Sequence, residues 1–323
     1  VSDVGVVVER WTAEGAFISG KALEPELPWF GGFYEGSDAL FLVFGKNNPD
    51  EDNEAEVLRV VKYSKDWERL GACSVFGANT TFPFSFGSLR MTEAEGLLYI
   101  HTCHQRYTSP DGLRHQANID FIIEEASMTC AYSYYGVGGW AYVSHSFNQF
   151  IRTDGENVYV ADHGDAYPRA VVVTKSSVGN APANVKRRWV LTIPGEIGAN
   201  ATGVSVGGLE LGSSNLLVAG NSVDVSDEDS YSAGGQRNIF IAVADLNLTD
   251  SRVIWLTAYD ENDGITPRTP QLVKLRDDSF LVMWEEYETS TKAVTVRMAT
   301  IDENGELTSD IVSADARLSD CQP

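Results

Sequence analysis

The chain has 323 residues, 43% of them hydrophobic, with 14 Phe, 13 Tyr and 7 Trp, a composition that fills an interior and excludes a disordered tail or linker. Its 46 acidic against 24 basic residues leave a formal net charge of −22, a field that repels phosphate backbones and anionic lipid surfaces. Nucleic acid is therefore not expected as a partner, and with no apolar run near the ~20 residues of a membrane helix, neither is membrane insertion.

In chain order, the first feature is an apolar run at residues 5–10, a turn at Thr12-Ala13-Glu14-Gly15 and a second run at 16–20, which read as two strands of an incomplete sheet unit. From residue 29 a pattern repeats at intervals near 60 residues. Each copy starts with a weak strand, at 29–36, 86–94, 145–153, 202–210 and 269–276. A turn follows, then a strongly apolar strand: ALFLVFG from Ala39, LLYIHTC from Leu97, VYVAD from Val158, LLVAG from Leu216 and FLVMWEE from Phe280. A third strand lies at 57–63, 117–123, 170–175, 238–244 and 293–299, and a fourth is visible in RRWVLTI, RVIWLTA and ELTSDIV. Gln149 and Gln271 occupy matching positions two periods apart.

Four short antiparallel strands per period, repeated with almost no helical signal, predict an all-β fold, a β-propeller. A two-sheet sandwich would not require this period. Joining the N-terminal pair to the C-terminal ARLSDCQP gives six four-stranded blades, the sixth closed by both termini; five blades is the alternative. The chain starts at Val1-Ser2-Asp3 with no initiator Met and no signal-like stretch. We therefore expect one domain over residues 1–323, part of a longer exported protein and monomeric within it. Cys73, Cys103, Cys130 and Cys321 show no paired spacing, and buried free thiols are expected, one disulfide being the alternative.

Loops that join second and third strands border the central funnel of a propeller, and site residues are sought there. All five histidines fall between His101 and His163. We expect His104, His115, His145 and His163 to converge with Arg106, Asp162, Asp165, Tyr167 and Arg169 at the rim formed by residues 104–116 and 144–169, Trp140 and Tyr142 lining it. His145, His163, Tyr167 and Arg169 are the residue types of an acid–base site, a base or acid beside a cation that meets a substrate carboxylate. His101-Thr102-Cys103-His104 is discounted as a zinc site, since alternate residues of a strand face opposite ways. Calcium is the metal to consider: Asp260, Asn262 and Asp263 offer oxygen ligands before a glycine turn, although the twelve-residue loop pattern is absent.

The segments VSHSFNQF and DHGDAYPR resemble β-propeller repeats in large, uncharacterised surface proteins of anaerobic bacteria. The resemblance implies the fold and an extracellular or cell-surface location, without a catalytic set. Aromatic residues in or near connections, Trp29, Tyr34, Tyr107, Trp140, Tyr142, Tyr167, Tyr231 and Trp284, suit a carbohydrate or peptide ligand. The first expectation is a ligand-binding or adhesion module. The alternative is a polysaccharide lyase or glycoside hydrolase working through the His/Tyr/Arg/Asp cluster.

Overall fold

The computed structural model describes residues 5–133 and 139–319, and within them the chain is a β-propeller. Five blades of four antiparallel strands follow one another in sequence. Blade I comprises Trp29–Glu35, Leu40–Gly45, Glu56–Tyr63 and Arg69–Phe76; blade II, Arg90–Ala94, Leu97–Arg106, Gln116–Glu124 and Thr129–Ser133. Blade III comprises Ser144–Thr153, Asn157–Tyr167, Arg169–Ser177 and Lys186–Thr192; blade IV, Val204–Leu211, Asn215–Ser222, Asn238–Asp245 and Ser251–Trp255. Blade V comprises Ile265–Arg276, Ser279–Glu288, Val294–Asp302 and Val312–Ala314. Within each blade every strand pairs with its sequence neighbour, and turns of two to four residues containing Gly36, Gly96, Gly155 and Gly212 enforce this in blades I to IV.

The second strands of blades I to IV are buried on both faces because both faces are covered, whereas that of blade V buries Phe280, Val282 and Trp284 on one face. Leu98 and Ile100 enter the core shared with blade I, whereas Leu97 and Tyr99 enter the core shared with blade III. Leu216 and Val218 likewise face blade III, and Leu217 and Ala219 face blade V. A sandwich would cover one face of each sheet; here each inner blade packs between two others, the arrangement of a propeller.

Val6–Trp11 and Phe17–Leu23 form a two-stranded sheet, as expected, and its Val6, Val8 and Leu23 pack on Leu40, Leu42 and Phe44 of blade I. This hairpin thus lies beside blade I. The C-terminal segment reaches blade V, where Glu285 Oε1 accepts the Leu318 N–H at 3.0 Å and Gln271 Nε2 donates to the Ser319 carbonyl at 2.7 Å. Among the described residues these two pieces do not pair with each other, so strand pairing establishes five complete blades; residues 320–323 of the expected closure, with Cys321, lie outside the described residues. Gln149 does at blade III what Gln271 does at blade V: its Oε1 accepts the Ser88 N–H at 2.6 Å and ties neighbouring inner strands together. Cys73, Cys103 and Cys130 are free thiols, the first two buried.

Blades II and III are joined more closely than the others. Ala117 pairs with Ser144, which merges the two blades, with the extra strand Thr80–Pro83, into one nine-stranded sheet. The inner strands of blades IV and V approach by a different route: a Cβ on Gly207 would stand 1.6 Å from the Pro270 carbonyl oxygen. Gly207 sits at a register shift, between Val206 and Gly208, where the strand leans onto its neighbour. Gly207→Ala must therefore push blade V away, and we expect a loss of about 3 kcal/mol or more, at the upper end for overpacking. Gly234→Ala, where a Cβ meets nothing within 4 Å, should leave the urea midpoint within experimental error.

Candidate functional site

The strand Asn157–Tyr167 positions most of the expected site. Its polar residues from Asp162 onward had the look of a loop, but the strand continues through them, pairing Asp162 with Gln149 and Asp165 with Arg169. They stay in the ladder because each finds a partner inside the ring. Alternation along the strand sends Asp162 one way and His163 the other.

Asp162, 1% exposed, faces blade II. Its Oδ1 accepts from Ser146 Oγ at 2.6 Å and Asn118 Nδ2 at 3.1 Å, and its Oδ2 lies 3.1 Å from His101 Nε2. The other ring nitrogen, His101 Nδ1, lies 2.7 Å from Asp120 Oδ1, its cross-strand partner. Burial alone would pull the His101 pKa down; the carboxylates of Asp162 and Asp120 outweigh it and raise the value to about 10. His101 is thus a buried imidazolium between two carboxylates. Asp120 itself is held above its ordinary pKa by burial, against the pull of His101.

His104 and His163 are buried singly, in different places. His104 Nδ1 meets Thr80 Oγ1 at 2.7 Å, and burial, with the nearby Arg106 charge, lowers its pKa to about 3. His163 Nε2 meets Thr202 Oγ1 at 2.9 Å beside the Phe147 ring, and burial lowers its pKa to about 4. Arg169, 8% exposed, is spent on carbonyls: Nε donates to Pro194, Nη1 to Ala199 and Asp165, Nη2 to Ala201 and to the Tyr231 hydroxyl. It holds the crossing from blade III to blade IV. His163 and Arg169, expected in an open site, are both buried, on the adjacent strands Asn157–Tyr167 and Arg169–Ser177, and their hydrogen bonds run inward.

What remains at the rim is a smaller group. His145 begins the inner strand of blade III with φ of 54°, a left-handed conformation uncommon for a residue with a Cβ. Its Nδ1 lies 2.9 Å from Asp165 Oδ1, and that bond, working against partial burial, raises its pKa. Asp165 is fully buried and its Oδ2 has no hydrogen-bond partner. The His115 ring stacks on His145, centroids 5.8 Å apart, and its Nε2 is 2.7 Å from Asp111 Oδ2. The Arg106 N–H donates to the His115 carbonyl at 2.8 Å, and its Nη1 reaches the Tyr142 hydroxyl at 3.4 Å. Tyr167, opposite Ser144 in the ladder, is 64% exposed.

Of the expected cluster, then, the structure brings His115, His145, Asp165, Arg106, Tyr142 and Tyr167 to one rim, and places His104, His163, Asp162 and Arg169 inside. Trp140 packs with Ala141 and Ile151 in the core between blades II and III, and Trp284 is fully buried between blades IV and V. Asp111 and Asp120 were missed. Asp120 had a sequence signal in the hairpin register that sets it opposite His101; Asp111 had none beyond its spacing of four from His115.

The calcium expectation at Asp260, Asn262 and Asp263 meets a different arrangement. Asp260 Oδ1 accepts the Asn262 N–H and Asp263 Oδ2 accepts the Asp260 N–H, a reciprocal cap on the turn Glu261–Asp263. These oxygens serve the backbone, and among the described residues no three His, Cys, Asp or Glu side chains gather as an ion requires. No described helix is long and apolar enough to cross a membrane.

No protein-family model and no curated protein matches the chain. Solved structures similar in outline include the GH43 BlXynB protein from Bacillus licheniformis, at 10% identity and a TM-score of 0.40 over 90% of this chain and 57% of that one. The chain thus spans a little over half of that protein. Others are an alpha-L-arabinanase from Cellvibrio cellulosa complexed with arabinohexaose, at 8% identity, TM-score 0.41, with 86% and 94% covered, and CoXyl43 from a compost microbial metagenome. The last, a GH43 beta-xylosidase/alpha-arabinofuranosidase in complex with xylotriose and in calcium-free form, has 10% identity and a TM-score of 0.39, with 87% and 94% covered. At these scores the likeness assigns neither activity nor substrate to this chain.

The buried histidines make stability depend on pH in a stated direction. An unfolded histidine titrates near 6.5. Above that value the unfolded chain has released the His101 proton while the folded chain keeps it, so stability conferred by this charge is complete below about pH 6.5 and is lost as pH rises toward 10. Urea unfolding at pH 8.5 should give a stability lower than at pH 6.5 by about 2 to 3 kcal/mol, the slope of one proton. His101→Gln should be less stable overall and lack that slope. His104 and His163 act in the opposite sense: neutral when folded, they confer stability above pH 6.5 that is lost as pH falls toward 4 and 3.

Proposed function

We propose that this propeller is a carbohydrate-active domain of an exported protein, acting on a polysaccharide laid across the rim between blades II and III, with His145 as the group that moves the proton. The observation that carries this reading is the His145–Asp165 pair. A partly exposed imidazole in a strained backbone conformation has one nitrogen fixed 2.9 Å from a fully buried carboxylate. With Nδ1–H donated to Asp165, Nε2 is the free base, and the carboxylate strengthens it. Elimination at a uronic acid residue needs one such base to take the C5 proton as the C4–C5 double bond forms and the C4–O4 bond breaks, the imidazolium so formed returning its proton to the leaving O4, and a cation for the substrate carboxylate. Arg106, two strands away and beside Tyr142, is the available cation.

Hydrolysis by two facing carboxylates fits less well. It needs a pair of carboxyl groups reaching one glycosidic bond, whereas Asp162 and Asp165 are both buried, facing His101 and His145. The net charge of −22 also limits the substrate to chains whose acidic sugars are sparse, since a dense polyanion would be repelled. Calcium is not needed by this reading.

A second reading, a binding or adhesion module for carbohydrate, is favoured by the burial of His163 and Arg169, which leaves the rim with two imidazoles, His115 and His145, and few charged contacts. His145→Ala separates the two. On a panel of uronate-containing and neutral polysaccharides, we expect it to lower turnover by about 10² to 10⁴, the worth of a positioned base, with KM little changed. If no panel member is consumed by the unaltered protein, while binding falls in the variant, the domain is a binding module. If neither turnover nor binding is seen, the carbohydrate reading fails.

A further inference from the structure

A cleft of about 810 Å³ opens where the outer strand of blade III meets the edge of blade IV and the segments after Ser222 and Trp255 leave the sheet. Its floor is apolar, made by Leu191 of blade III with Val225, Val253, Trp255 and Tyr259. Trp255 packs edge-on to Phe240, centroids 6.0 Å apart, and still leaves 42% of its surface exposed. Three carboxylates, Asp224, Asp260 and Glu261, stand at the lip, and among the described residues no Lys, Arg or His lines the cleft.

The uncharged polar groups are already engaged. Gln236 Nε2 donates to the carbonyls of Arg237 and Ile265. Asn238 Oδ1 accepts from Thr257 Oγ1 and the Tyr259 N–H, while its Nδ2 donates to the Tyr259 carbonyl. A sugar, which needs many amide and hydroxyl partners, would find few here. An apolar floor under a negative lip suits a long aliphatic stem ending in a cation, with the exposed indole face beside it. Asp224 stays ionised well into acid, since the Ser226 hydroxyl and N–H both donate to it and lower its pKa.

We propose that this cleft is a docking site for a basic peptide segment of a partner protein, one Lys or Arg side chain lying along Trp255 with its charged end among Asp224, Asp260 and Glu261. This is a second site, independent of the chemistry at His145. It gives the acidic field a local target, because the rest of the −22 charge attracts cations without holding them in register.

Titration calorimetry tests it with acetyl-(Gly-Lys)₄-amide as the probe, acetyl-(Gly-Glu)₄-amide as the reversed-charge control, at low and physiological salt. We expect the lysine peptide to bind and the glutamate peptide not to. The triple variant Asp224→Asn, Asp260→Asn, Glu261→Gln should lose about tenfold in affinity, three rim contacts at a few tenths to one kcal/mol each. Trp255→Ala should lose about fivefold or more at physiological salt, where the apolar contact persists while screened charge weakens. A distant triple variant, Asp50→Asn, Glu54→Gln, Asp277→Asn, should change affinity less than twofold. Equal losses in the two triples would make the attraction a property of net charge and overturn the site, as would an unaltered affinity in Trp255→Ala or equal binding of the glutamate peptide.

Discussion

The buried charge set around Asp162 is the constraint on which the rest of the ring's chemistry hangs. One carboxylate gathers a serine, an asparagine and an imidazolium from two blades, and that imidazolium is shared with Asp120. Such a set is stable only when complete, since a charge left without its counterpart inside the ring would be strongly destabilising. It therefore fixes how blade III sits against blade II to within hydrogen-bond tolerance. The rim above inherits that precision: Ser144, His145 and Ser146 are consecutive, so the strand that delivers Ser146 to Asp162 also delivers His145 to Asp165.

Much of the architecture could be read from the sequence because the period of about 60 residues, the turn residues and the double-sided apolar second strands all state the same plan. The inner strands expected at 145–153 and 202–210 are close to the observed Ser144–Thr153 and Val204–Leu211. Local pattern reading fails at Asp162, His163 and Asp165, where consecutive polar residues imitate a loop. Hydropathy alone cannot report that a neighbouring blade supplies Thr202, Asn118 and His101 as partners. Arg169 misleads for the same reason: its guanidinium has the right chemistry for an anion, but five internal acceptors, none of them local in sequence apart from Asp165, claim it first.

The two candidate sites differ in how they use charge. At the rim, the buried Asp165 carboxylate lies behind His145 and raises its pKa, and the ligand would meet His145, His115, Arg106 and tyrosine hydroxyls. At the cleft of blade IV the carboxylates are in front, on the lip, and would meet the ligand directly. An overall acidic surface is compatible with both because the first hides its acidity and the second displays it.

The stacked pair of His115 and His145 takes one ring from blade II and one from blade III, across a seam that Ala117 and Ser144 close by backbone pairing. Copying a single repeat unit would reproduce a blade but not this contact, which needs two unlike copies side by side. Chemistry placed at such a junction can diverge in one location while the other repeats keep their common form, so the ring presents one specialised edge and not a set of equivalent ones.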